Sequence, residues 1–150
     1  MPVGPIVGLR PVDLGQLESL LGANHLPYED CVEQLRIFSG VFDGSELIAA
    51  GGLEPAAEYA LLRSIVVQQR YRARGLAQSI SEQLIQQAEA EGRVAVYLLT
   101  ETAEDYFARQ GFERVVRAAV PAAIARTRQF ASLCPHSASC MRMTLPRSGS

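Results

Sequence analysis

The chain has 150 residues, is 48% hydrophobic and 20% charged, and carries a formal net charge of −2. That balance belongs to an ordinary globular domain able to bury a core without disulfide or metal staples, and it excludes both a disordered chain and a broad basic surface for nucleic acid. No apolar run approaches the roughly 18 to 20 residues that span a bilayer, the first ten residues lack the features of a signal peptide, and an odd count of three cysteines suits reduced thiols in the cytoplasm.

In chain order, residues 5–10 read as a strand. Residues 12–21 repeat apolar side chains at Leu14, Leu17, Leu20 and Leu21, the stripe of an amphipathic helix with Asp13 as N-cap and Gly22 as its stop. A loop over 24–30 leads to a short helical stretch near Cys31. Residues 36–42 and 46–54 flank Asp43-Gly44, a dipeptide that favours a tight hairpin because both residues tolerate positive φ. Residues 59–67 form a further strand, followed by a helix over 76–91 with Leu76, Ile80, Leu84 and Ala88 on one face and Gly92 at its end. The run 94–100 is apolar almost throughout, as in a strand covered on both faces. Thr102 and Asp105 resemble a capping box that opens a short helix ending at Gly111. Strands at 112–117 and 141–145 complete the pattern. Between them, 118–140 is partly helical over 122–130 and then a loop, and 146–150 reads as a loose tail. With no repeat and no linker, residues 1–150 are expected to form a single domain.

Residues 64–79, SIVVQQRYRARGLAQS, set three arginines about a glycine between a β-branched run and a helical pattern. A strand that enters a glycine turn and then a helix aims several N–H groups at one point, where the helix N-terminus adds about half a positive charge. Such a turn is an anion site in which Gly75 permits close backbone approach and Arg72 and Arg74 flank a diphosphate. The alternative is a solvated basic turn whose glycine only eases entry into the helix. Neither G-x-x-x-x-G-K-[ST] nor G-x-G-x-x-G occurs, which sets aside nucleoside triphosphates and nicotinamide dinucleotides.

Arg72-Ala-Arg-Gly75-Leu-Ala77 resembles the R/Q-x-x-G-x-G/A signature of the GNAT acetyltransferase superfamily. Ala103-Glu-Asp-Tyr-Phe-Ala-Arg-Gln-Gly-Phe112 is similar to that family's downstream A-x-x-F-Y-x-x-x-G-F helix, and the order of elements over 5–117 follows the family throughout. The resemblance implies an α/β fold with a mixed, mostly antiparallel sheet flanked by helices. It also implies acetyl-coenzyme A as cosubstrate, its pantetheine arm along Ile65, Val66 and Val67 and its diphosphate on the amides of Arg72, Ala73, Arg74, Gly75, Leu76 and Ala77. The thioester is then expected between strands 59–67 and 94–100. A narrower likeness, to the subgroup linked with arsenic resistance and amino-acid acetylation, rests on Ala60-Leu-Leu-Arg-Ser64, Tyr97-Leu-Leu-Thr-Glu-Thr-Ala103 and Leu133-Cys-Pro-x-Ser-Ala-x-Cys-Met141.

Acetyl transfer to an amine needs a neutral amine, donors for the oxyanion and a proton for the leaving thiolate. A free α-amino group titrates near about 8 and a lysine side chain near about 10.4, so an amino-acid acceptor asks less of a base. Glu54, at a strand end, is the candidate base or else a solvated carboxylate, and the amide of Ile65 or Val67 is the candidate oxyanion donor. Arg63 either clamps a substrate carboxylate or lies on the surface, while Ser64, Tyr28 and, more weakly, His25 are candidates to border the acceptor. The family's usual acid is the tyrosine of its F-Y pair. Here the order is Tyr106-Phe107, which leaves phenylalanine at the matching position, with Tyr106 expected to turn toward the core or else to reach the thiol. Cys134 and Cys140, spaced C-x5-C, match no common zinc pattern and read as packing thiols, the alternative being a thiolate pair for trivalent arsenic or another soft metal, and no metal is expected. The stripe over 122–130 reads as core or as the contact of a homodimer. The expected partner is a small-molecule amine, an amino acid or amino-acid-like toxin, with neither nucleic acid nor membrane involved. A non-catalytic acyl-coenzyme A-binding module is the alternative.

Overall fold

Residues 4–134 and 137–147 are described by the computed structural model. The strands are Val7–Gly8 (β1), Phe38–Asp43 (β2), Glu46–Ala56 (β3), Tyr59–Val67 (β4), Ala95–Thr100 (β5), Glu113–Val115 (β6) and Ser139–Thr144 (β7). They form one sheet in the order β1-β2-β3-β4-β5-β7-β6. The β4–β5 pair is parallel, whereas β1–β2, β2–β3, β5–β7 and β6–β7 are antiparallel, which gives the α/β class with a mixed, mostly antiparallel sheet. The helices are Leu14–Ala23 (α1), Cys31–Gln34 (α2), Leu76–Ala90 (α3), Glu104–Arg109 (α4) and Ala122–Ala125 (α5).

Within the one domain the chain divides into two compact units, the first made of Met1–Leu53 and Ser64–Leu84. Its core gathers Leu17, Leu20 and Leu21 from the stripe of α1 with Phe38, Leu47, Ala50 and Val66 of the strands, each large side chain contributing about 1.5–3 kcal/mol by leaving water. A Cβ on Gly51 would lie 2.5 Å from Ile65 Cδ1 and 2.8 Å from Ile80 Cγ2, so this glycine sets how closely α3 approaches β3. Asp13 is the N-cap residue of α1, as expected, but its side chain makes no capping hydrogen bond, and the expected stop is corrected. Asp13 faces backward, its Oδ2 accepting the Arg10 amide at 2.7 Å behind a 3-10 turn over Pro11–Asp13. Gly22 lies inside the helix; the stop is His25, at φ 60, with its N–H on Gly22 O and that of Leu26 on Leu21 O, a Schellman closure. Asn24 Nδ2 donates to Leu20 O at 2.9 Å and so satisfies another orphan carbonyl. The first strand shrinks to two residues, Pro5 having no N–H to give to a ladder. The hairpin loop is Gly44-Ser45 rather than Asp43-Gly44: a register shift between Val41 and Phe42 moves the turn one residue on, and Gly44 takes φ 62.

The second unit comprises Glu54–Arg63 and Ile85–Ser150. Tyr59, Ala60 and Leu61 pair with Ala95, Val96 and Tyr97, and β7 lies between β5 and β6. Leu61, Tyr97 and Cys140 meet Ile124 and Phe130 in its core, so these residues of the 122–130 stripe are core residues. A π-helix over Gln129–Leu133 follows α5. The N-cap of α4 is Ala103 rather than Thr102, and Thr100 Oγ1 accepts the Ala103 amide at 3.0 Å. Gly111, at φ 108, ends that segment as expected. The start of the expected loose tail is fastened, since Arg147 donates from N, Nε and Nη2 to Glu89 at 2.8–3.2 Å. Residues 148–150 and His136 lie outside the described residues. Among the described residues no helix is long and apolar enough to cross a membrane.

Candidate active site

The arginine-rich turn joins β4 to α3. Ala73 (φ 65) and Gly75 (φ 78) both take the left-handed conformation, and Ser79 N–H closes the first helical turn on Gly75 O at 3.0 Å. The N–H groups of Leu76, Ala77 and Gln78 therefore open the helix with no partner inside it. The Arg72 amide is taken by Gln69 O at 3.3 Å, so the expected cradle of amides narrows to residues 73–77. The Arg72 side chain folds back, its Nε on Val67 O at 3.3 Å and its Nη2 on Asn24 Oδ1. Tyr71, only 8% exposed, carries Arg70 and Arg74 against its ring at 5.3 and 5.1 Å and donates its hydroxyl to Asp43. Arg70 also donates to Glu46 at 2.7 Å and to Gln68. A hydrogen bond from Gln68, with the nearby Arg70 charge, holds the Glu46 carboxyl below its usual range. Tyr71, Asn24, Asp43 and Glu46 are the residues that sequence reasoning missed. The one signal for them was an aromatic residue inside an arginine run, which needs burial and a partner for its hydroxyl.

The structure brings Glu54 and Arg63 together. Arg63 Nη1 meets Glu54 Oε1 at 3.1 Å, with side chains 1% and 11% exposed respectively. Neither is solvated as the blander sequence readings had it, and Arg63, expected to meet a substrate carboxylate, has an internal one instead. Ser64 follows at φ 59, a left-handed non-glycine residue within a strand. Such a residue costs of order 1–3 kcal/mol, and strain of this kind clusters at functional sites. Tyr28 is 43% exposed and rests on α1, where a Cβ on Gly22 would lie 3.4 Å from its ring. His25 is occupied as the helix stop.

On α4, Phe107 is buried and stacks edge-on against Phe112 with centroids 5.7 Å apart. The Tyr106 hydroxyl is buried with no partner among the described residues, and burial raises its pKa. Burial likewise pushes the Cys140 thiol up to about 11, so it is neutral at physiological pH and a poor metal ligand. Cys134 Sγ lies 2.8 Å from Gln129 Oε1. Among the described residues no three His, Cys, Asp or Glu gather as a metal site would require.

Fold and turn together define an α/β protein in which a strand, an arginine-rich turn and a helix follow one another. Residues 16–114 match the model of the acetyltransferase (GNAT) family. The chain belongs to that family. No curated protein matches it. Among solved structures it is similar to N-acetylglutamate synthase from Neisseria gonorrhoeae complexed with coenzyme A and N-acetyl-glutamate, with TM-score 0.82 and 15% identity. That match covers 98% of this chain and 36% of the other, so the chain spans about a third of that protein's length. It is also similar to Rv2747 from Mycobacterium tuberculosis in complex with CoA and NLQ, with TM-score 0.80, 18% identity, and 95% and 99% of the two chains covered. A third likeness, to the ribosomal-protein-S18-alanine N-acetyltransferase from Escherichia coli, has TM-score 0.71, 16% identity, and coverage of 97% and 96%.

Proposed function

We propose that this chain moves the acetyl group of acetyl-coenzyme A to the amino group of a small molecule, an amino acid or an amino-acid-like toxin. The turn after β4 carries this reading: left-handed Ala73 and Gly75 lead the amides of 73–77 into the N-terminus of α3. A diphosphate suits that cradle, and Ile65, Val66 and Val67 run into it as the path for a pantetheine arm. The choice of acceptor is supported by the N. gonorrhoeae structure that holds N-acetyl-glutamate, and by the modest cost of deprotonating an α-amino group at neutral pH. The likeness to the arsenic-resistance-linked subgroup enters here, through an amino-acid-like acceptor.

Glu54, positioned by Arg63, takes the proton of the attacking amine directly or through water. Ser64 and Tyr28 border the acceptor. The nitrogen lone pair attacks the thioester carbonyl, the C–S bond breaks, and the leaving thiolate takes up, through water, the proton that Glu54 removed from the amine. Attack is direct, because neither β4 nor β5 contains a cysteine to carry the acetyl group.

Gly75→Val tests the cradle. At φ 78, with nothing within 4 Å of an added Cβ, the substitution strains the backbone without a clash. Calorimetry is expected to show coenzyme A binding weakened about fivefold to thirtyfold, from a strain of about 1–2 kcal/mol, while the circular dichroism spectrum stays native. Unchanged affinity overturns the assignment. The second reading, a non-catalytic acyl-coenzyme A-binding module, is favoured by Phe107, which puts a packed ring where the family has its phenol. It predicts tight binding with no thiol release across a broad panel of amino acids.

A further inference from the structure

Arg72 opens the arginine-rich turn, yet its side chain turns back along the strand. It donates from Nε to Val67 O at 3.3 Å, the last carbonyl of β4, and from Nη2 to Asn24 Oδ1, 48 residues away in sequence. A guanidinium carries Nε and Nη2 on one edge, so both bonds spend the same fork, one of those with which arginine grips a phosphate. Asn24 is equally committed, since its Nδ2 donates to Leu20 O at 2.9 Å. Directly after it, left-handed His25 (φ 60) and Leu26 close the helix, their N–H groups on Gly22 O and Leu21 O. The Arg72 side chain therefore joins the end of β4 to the stop of α1.

A cavity of about 450 Å³ opens between that helix and the strand ends, with Gln16, Ser19 and Asn24 on the helix side and Glu46, Gln68 and Gln69 opposite. Gln16 ties the helix to the hairpin, donating to Ser45 O at 3.0 Å and accepting from the Leu47 amide at 2.9 Å. Arg72 is the corresponding tie at the C-terminal end of α1. Beyond it, loop 24–30 carries Tyr28, which is 43% exposed.

We propose that Arg72 is a positioning residue for the acceptor and not a ligand of the diphosphate: a strut from Val67 O to Asn24 that fixes the stop of α1 and, through it, the loop that presents Tyr28. The inference rests on the reading of Tyr28 as a border of the acceptor site. The diphosphate is left to the amides of 73–77. Lysine cannot replace the strut, because an ammonium is a point donor without the flat fork that reaches both oxygens at once. A phosphate ligand, by contrast, would keep much of its worth as lysine, which binds phosphate as a point charge.

Hydrogen exchange and calorimetry with coenzyme A, both on the full chain, test it. Arg72→Ala is expected to speed exchange of the His25 and Leu26 amides about tenfold or more, yet to change coenzyme A affinity by less than about threefold. Arg72→Lys should exchange nearly as fast as Arg72→Ala. In thiol-release assays with each of the standard L-amino acids, any that turns over should show a KM raised about fivefold or more by Arg72→Ala, with kcat and the KM for acetyl-coenzyme A within about twofold. A loss of coenzyme A affinity of about tenfold or more in Arg72→Ala, restored by Arg72→Lys, makes Arg72 a phosphate ligand and overturns the proposal. Unchanged exchange at His25 and Leu26, or a raised KM for acetyl-coenzyme A alone, overturns it too. If no amino acid turns over, the acceptor reading falls, and exchange together with coenzyme A affinity decides the strut. Should Arg72→Ala melt below the assay temperature, Arg72→Lys supplies the same two readouts. Gly75→Val keeps the two failures apart, since it weakens coenzyme A binding wherever the amides hold the diphosphate, whatever Arg72 does.

Discussion

Arg63 and Glu54 illustrate what a side chain's surroundings do to its chemistry. A guanidinium with 1% of its side chain exposed and its Nη1 on a carboxylate 3.1 Å away is fixed in place. Removing one member of such a pair strands the other, at about 3–5 kcal/mol. Arg63→Met is therefore expected to lower stability by about that much in urea unfolding. Glu54→Gln keeps an oxygen to accept the Arg63 hydrogen bond and should cost about 1–2 kcal/mol. If Glu54 is the base, the same substitution lowers kcat about a hundredfold or more while leaving the KM for acetyl-coenzyme A in place. Full kcat in Glu54→Gln would make Glu54 only the partner of Arg63. Both residues stand out in the sequence by position, but their pairing does not, because it depends on how the strands lie beside one another. The φ of 59 at Ser64 was equally hidden, since serine has no left-handed preference of its own and is forced there by its neighbours.

Elements with a long apolar signature, β4, β5 and α3, follow the sequence closely, because periodicity reports burial directly. Caps and short strands do not. The stop of α1 uses Asn24 and His25 where a glycine three residues earlier offered the obvious place, and β1 is trimmed by the proline that precedes it. The turn between β4 and α3 was legible as glycine and arginines; the residues that hold its shape come from elsewhere in its unit. Tyr71 ties it to Asp43 of the hairpin while supporting Arg70 and Arg74. Tyr71→Phe removes the tie and keeps the ring, so coenzyme A affinity is expected to fall about threefold to tenfold, matching a net hydrogen bond of about 0.5–1.5 kcal/mol. Tyr71→Leu, which also removes the cation–π contacts, should lose more. Equal affinity in all three proteins, measured by calorimetry, would show that the turn keeps its shape without Tyr71.

At the scale of the whole molecule, fold class was legible and strand order was not. A strand, helix and strand in succession, with apolar runs at both ends, foretell the parallel β4–β5 pair. That β7 enters between β5 and β6 is settled by which edges pair across long separations, which no local pattern encodes. The same holds for the C-terminus, where composition suggested a tail and the fold supplies Glu89, 58 residues away from Arg147. The Arg147 hydrogen bonds, side chain first and then backbone, hold the Glu89 carboxyl below its ordinary 4.5. A carboxyl with a lowered pKa in the folded state contributes stability above the unfolded value, and that contribution fades as pH falls through the folded one. Arg147→Ala is thus expected to lower the melting temperature at pH 7 by about 2–4 °C, the equivalent of about 1 kcal/mol for a partly exposed pair. The gap from wild type should begin to narrow as pH drops below 4.5 and close once pH has fallen through the lowered folded value, where both proteins carry a neutral Glu89. Thermal melts at pH 7 and pH 3 check this, and a gap as wide in acid as at neutrality would mean that Arg147 holds the terminus by packing and not by charge.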